Sequence, residues 1–193
     1  MRTDILLILC GLLWLTLPAL AHEDDEKEDD LFMDPRLMSS CDRAPYAQVE
    51  GCPSVVGTSY DCEGRGHLPE GDEIPWKSNP PHSGAHYPRW ERQAGEHQRV
   101  IPRGRWVHNL EHGHILLLYN CPDGCTSELG VLREVLEERF ELSLLLTPDP
   151  KLTGPRFAAV AWTWIYRTDQ PDLSKLLCFI DQHINQGPEK LPL

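Results

Sequence analysis

Val107-His108-Asn109-Leu110-Glu111-His112-Gly113-His114-Ile115-Leu116-Leu117-Leu118-Tyr119 decides how this 193-residue chain is read. Its second half, His114 to Tyr119, is an apolar run of strand length and predicts a buried strand. Its first half sets histidines at 108, 112 and 114. On a helix, His108 and His112 share one face, four residues apart; on a strand, all three even-numbered positions share one side. Either geometry lets two imidazoles converge. Gly113 allows close approach of other backbone, or a bulge.

Working outward, Glu128 to Phe140 carries Leu129, Leu132, Val135, Leu136 and Phe140 at helical spacing with charges opposite. Glu141 to Thr147 reads as a second strand, ended by Pro148-Asp149-Pro150. Phe157 to Tyr166 reads as a third, central because it is apolar on both faces. Asp172 to Asn185 predicts a closing helix with Asp172 as N-cap and Leu176, Leu177, Phe179, Ile180 and Ile184 inward. Upstream, Cys41 to Pro102 is rich in Pro, Gly and Cys and predicts loops and short strands. The expected class is α+β: one disulfide-stapled domain over 41–193, a small β-sheet with helices packed on one face.

The N-terminal 21 residues predict a secretory signal: Arg2, an apolar stretch from Ile5 to Leu17, and Ala19-Leu20-Ala21 as the cleavage site. That stretch is short for a membrane span, and no later one approaches the ~20 apolar residues needed. The expected product is secreted or periplasmic. Its six cysteines, Cys41, Cys52, Cys62, Cys121, Cys125 and Cys178, allow up to three disulfides. Cys121-Pro122-Asp123-Gly124-Cys125 is the most readable pair, since its turn brings the ends together. In an oxidising compartment a structural bridge is the better reading.

Net charge is −12, and half of it sits in His22 to Asp30, where seven acids accompany one lysine. Residues 22–40 therefore predict an acidic disordered tail. This balance disfavours nucleic acid and anionic membranes as partners.

His82-Ser83-Gly84-Ala85-His86-Tyr87-Pro88 and the 107–114 segment together hold five of the nine histidines. Imidazole is the commonest side-chain ligand for borderline metals and the usual proton carrier near neutral pH. Glu111 beside His112 offers a ligand, a partner fixing an imidazole tautomer, or a general base. A zinc-protease helix in reversed order is rejected, because Gly113 and a β-rich run follow His112.

The same residues carry a resemblance. Asn79-Pro80-Pro81-His82-Ser83-Gly84-Ala85-His86-Tyr87 resembles an Asn-Pro-Pro-Thr-Ser-Gly-x-His-Tyr segment, and Val107-His108-Asn109-Leu110-Glu111-His112-Gly113 resembles Val-His-x-Leu-Glu-His-Gly. Both typify a family of exported or membrane-anchored, mostly bacterial proteins known only as a domain of unknown function. The likeness runs from about Cys52 to Pro188. It implies a shared site at His86, His108, Glu111 and His112, with His67 matched more loosely. His82 stands where the family usually has Thr, and His114 where it has a small apolar residue; both are additional candidates. The resemblance supplies no reaction.

The leading expectation is an exported metal-binding protein, with His86, His108 and His112 as ligands and His67 as the fourth. Three or four imidazoles favour zinc or copper over hard cations. With three ligands, an open position could hold water, and Glu111 as base would make a metal-dependent hydrolase. The alternative is a metal-independent interaction module that binds an unknown protein partner and uses its histidines structurally. Thiol–disulfide exchange at Cys121 and Cys125 fits poorly: three residues intervene, and the helix is expected a few residues later. The sequence assigns no substrate.

Overall fold

In the computed structural model the described residues are 41–52 and 54–189. The predicted signal over 1–21 and acidic tail over 22–40 lie outside them. The elements are β1 (Thr58–Ser59), β2 (Gly95–Glu96), α1 (Arg103–Glu111), β3 (Ile115–Tyr119), α2 (Thr126–Glu138), β4 (Leu144–Pro148), β5 (Phe157–Ala161), β6 (Trp164–Thr168) and α3 (Leu173–His183). The strands form one sheet in the order β1-β6-β5-β3-β4-β2. β3 pairs parallel with β4, and β4 with β2; the remaining pairings, β3–β5, β5–β6 and β6–β1, are antiparallel. The α+β class holds.

Ile115 to Leu118 have no exposed surface, and all of β5 is buried, so both sheet faces are covered at its centre. That is why these segments read as continuous apolar runs rather than alternating ones. α2 crosses from β3 to β4 and packs against α3, which also lies on β5. Asp172 caps α3 by accepting from the Lys175 N–H at 2.9 Å. Phe140 falls beyond the end of α2 and is 79% exposed.

Two expectations are corrected. The apolar run Phe157–Tyr166 is not one strand: it turns at Trp162-Thr163, and Ala161 pairs with Trp164. Thr163 has φ 63°, uncommon for a β-branched residue. Tertiary hydrogen bonds hold it: its N–H donates to His82 O, while its hydroxyl and carbonyl accept from Ala44 and Tyr60. The second correction concerns α2. It starts at Thr126, with Cys125 itself at the N-cap.

Of the two geometries open for the histidine segment, the helical one is found through Glu111. The helix stops because Gly113 takes φ 84°, with the Gly113 N–H donating to Leu110 O and the His114 N–H to Asn109 O. This pair of bonds is a Schellman ending, and it turns the chain straight into β3. The segment after α3 then lies against this ending. The Asn185 N–H donates to Gly113 O at 2.8 Å, and Glu189 N–H to Glu111 O at 3.0 Å.

Three disulfides staple the domain: Cys41–Cys62, Cys52–Cys178 and Cys121–Cys125. Among the described residues no helix is long and apolar enough to cross a membrane.

Candidate metal centre

Three separated pieces of chain build the centre. Residues 64–68 and 84–86 run side by side: the Gly84 N–H donates to Gly64 O, His86 N–H to Gly66 O and Leu68 N–H to His86 O. His67 and His86 form a parallel bridge there. Trp76 fixes the second piece by donating Nε1–H to Ala85 O at 3.1 Å. The last turn of α1 supplies His108 and Glu111. One ligand atom from each of His67, His86, His108 and Glu111 lies within 4.8 Å of every other. This group could hold a metal ion.

Two of the rings are oriented from behind. His86 Nδ1 lies 2.9 Å from Gly84 O, and His108 Nδ1 lies 2.7 Å from Tyr87 O. A carbonyl only accepts, so each Nδ1 carries the proton and each neutral ring keeps its lone pair on Nε2. Imidazole ligands are commonly held this way by a hydrogen bond on the far nitrogen. His86 Nε2 is buried and makes no hydrogen bond, although Glu111 Oε2 is 2.9 Å away; the two are close but not aligned as donor and acceptor. A lone pair facing a carboxylate oxygen at that distance is repulsive unless a proton or a cation sits with them.

Glu111 is 3% exposed, and its other oxygen accepts from Arg65 Nε at 2.7 Å. Burial alone would raise its pKa, but His86 and the Arg65 guanidinium outweigh burial and hold it at about 2. The carboxylate is therefore charged throughout the physiological range. Burial, reinforced by the neighbouring imidazoles, pushes His108 down to about 4. His67 is lowered by the burial it has and by His86, and it is the exposed member through which the centre meets solvent.

The other candidates lie nearby or apart. The His112 ring centroid is 4.7 Å from that of His108, on the side facing Trp90, and its Nδ1 is buried without a hydrogen bond. It stands next to the four-residue group. His114 packs edge-on against Trp90 and its Nδ1 meets Asn109 Nδ2 at 3.0 Å, so Asn109 donates to it. His82 is separate: it stacks on Tyr60, meets the Ser83 hydroxyl and faces Glu63. Arg65 and the Gly84 and Tyr87 carbonyls went unread in the sequence, since a backbone acceptor leaves no trace in residue type.

The metal-free protein should lose stability in acid. His108 and His114 titrate near the ordinary 6.5 when unfolded but near 4 when folded, His114 through burial and the adjacent His112. The unfolded chain then binds more protons between pH 6.5 and 4, so stability falls across that window and is flat above it. The expected loss is on the order of a few kcal/mol, at about 1.4 kcal/mol per pKa unit. Urea midpoints from pH 7 to 4.5 would show it, and a flat series would contradict it. His114→Gln should shrink the slope.

No curated protein and no solved structure matches the chain. Residues 67–192 match the family described as a protein of unknown function, DUF3105; that stretch is more than half of the chain and holds all four converging residues, so the chain belongs to that family.

Proposed function

We propose that this is an exported metal-binding protein whose ion is held by His67, His86, His108 and Glu111. The observation that carries the reading is the convergence of four ligand atoms within 4.8 Å, with two rings pre-oriented by carbonyl acceptors. Three imidazoles and one carboxylate suit zinc or copper. The exposed His67 side leaves room for a water or a small ligand. Glu111 is placed as a ligand because one of its carboxylate oxygens lies within 4.8 Å of the ligand atoms of the three histidines. His112 then acts beside the ion, limiting the movement of His108. Three disulfides favour export to an oxidising compartment, either outside the cell or in the periplasm.

The test is elemental analysis of protein purified without affinity tag or chelator. One equivalent of zinc or copper is expected, lost on chelation and recovered on reconstitution. His86→Ala and His108→Ala should abolish it, while His112→Ala should weaken binding by about 10–100-fold, as for groups behind a ligand. Failure to retain any metal on reconstitution would leave a metal-free reading. In that case the buried His86–Glu111 contact is structural, and both histidine variants would lose stability instead.

A further inference from the structure

Cys121 and Cys125 stand at the far end of β3 from the histidines, separated from His114 by roughly 23 Å of extended chain. We propose that this pair is a dithiol–disulfide exchange site that accepts electrons from a dithiol-bearing peptide or protein, independently of the metal centre.

Three observations carry the assignment. First, the two sulfurs differ in access. Cys121 is half-buried and followed by the exposed Pro122, Asp123 and Gly124, whereas Cys125 is 9% exposed and packs into the core. Exchange proceeds by attack on the reachable sulfur, here Cys121, so that Cys125 is the sulfur that leaves. Second, Cys125 is the N-cap of the 13-residue α2, and no side chain caps the helix from that position. The positive end of the helix dipole falls on Cys125 and stabilises its thiolate. Glu128 in the first turn would oppose this, but its carboxylate is paired with Arg156 at 2.8 Å. Third, the pair lies where the chain leaves the carboxyl end of β3 for α2, at the opposite end of the strand from His114. The β4–β5 loop is tied to this end of β3 by Asn120, which donates Nδ2–H to Leu152 O.

A structural role explains the bridge poorly. Its cysteines are four residues apart, against 126 for Cys52–Cys178, so it restrains the unfolded chain least.

The electrons balance as follows. A partner thiolate attacks Cys121 Sγ, the Cys121–Cys125 bond breaks, and Cys125 leaves as thiolate beneath α2. The partner's second thiolate then attacks its own sulfur in the mixed disulfide, expelling Cys121. The partner is oxidised to a disulfide by two electrons, and its two protons end on Cys121 and Cys125.

The test uses the full, oxidised protein with a chelator present, so that no metal takes part. In graded mixtures of reduced and oxidised glutathione, followed by alkylation and peptide mass analysis, Cys121–Cys125 should open first while the fold persists. The oxidised protein should also convert a reduced dithiol peptide to its disulfide. Single variants test the direction: Cys125→Ser should capture glutathione on Cys121 about tenfold faster than Cys121→Ser does on Cys125, as expected from exposure. Opening no earlier than Cys52–Cys178, opening only together with unfolding, or equal capture by both variants would each overturn the proposal.

Discussion

Gly187→Ala is expected to lower the unfolding free energy by roughly 3 kcal/mol or more, although the position lies in no motif and bears no chemistry. A Cβ there would sit 2.3 Å from Glu111 O and 2.4 Å from the Gly113 backbone nitrogen. Those are main-chain atoms at the end of α1, where the chain is already fixed by the bonds that end the helix. Neither side can give way cheaply, so the 185–189 segment must lift. Lifting breaks the donations from Asn185 and Glu189 to the Gly113 and Glu111 carbonyls, leaving the carbonyls at the helix end without partners. It also draws Glu189 away from Arg65, the guanidinium that holds Glu111. Thermal unfolding should therefore show a lowered midpoint, and metal binding should weaken in the same variant. A wild-type midpoint would mean that the segment is not packed against α1 as described. Gly187→Ser should behave alike, since any Cβ meets the same atoms.

The second large effect belongs to Cys52–Cys178. Replacing both cysteines by alanine is expected to cost roughly 4–5 kcal/mol, because the bridge closes a loop with a sequence separation of 126. It ties the loop-rich N-terminal region to α3. The same region meets α3 again through Gln182, which donates to Ser54 O and accepts from the Val56 N–H. His183 contributes a contact to Val56 O. Without the covalent tie the region keeps these contacts, the Ala47 N–H donation to Gln182 O and the pairing of β1 with β6. For Cys121–Cys125 the same chain-entropy argument gives only about 2 kcal/mol. Denaturant titrations of the two double-alanine variants should thus separate clearly; equal midpoints would mean that denatured-state structure dominates both.

Much of this architecture was legible in residue order. β3, α2, β4 and α3 each announce themselves by an apolar run or a helical spacing longer than four residues, and Asp172 announces a cap. The hairpin at Trp162-Thr163 does not. It has no Gly, Pro or Asn, and the run from Phe157 to Tyr166 is apolar on both sides of Thr163, so the distant partners Ala44, Tyr60 and His82 hold Thr163 in its turn. α1 was left open between helix and strand for a related reason. All but two of its nine residues are buried, polar ones included, which erases the contrast that periodicity relies on. β1 and β2, at two residues each, carry no pattern at all.

The centre divides in the same way. His86, His108 and Glu111 were marked by their density and by the family likeness, and His67 by the likeness alone. Arg65 was not marked, because an exposed-type residue in a glycine-rich loop gives no sign that it meets a carboxylate across 46 positions of chain. Cys125 was read one turn too far from its helix, which hid the asymmetry between the two sulfurs.

β3 has one further consequence for how the protein responds to change. Its pairing with β4 and β5 cannot slip by one residue without exchanging the sides occupied by Leu116 and Leu118 with those of Ile115 and Leu117. All four are fully buried, so the strand has a single register and no graded intermediate setting. Substitutions at its histidine end are expected to leave its cysteine end in place. The two ends are therefore energetically additive, linked only when the whole domain unfolds.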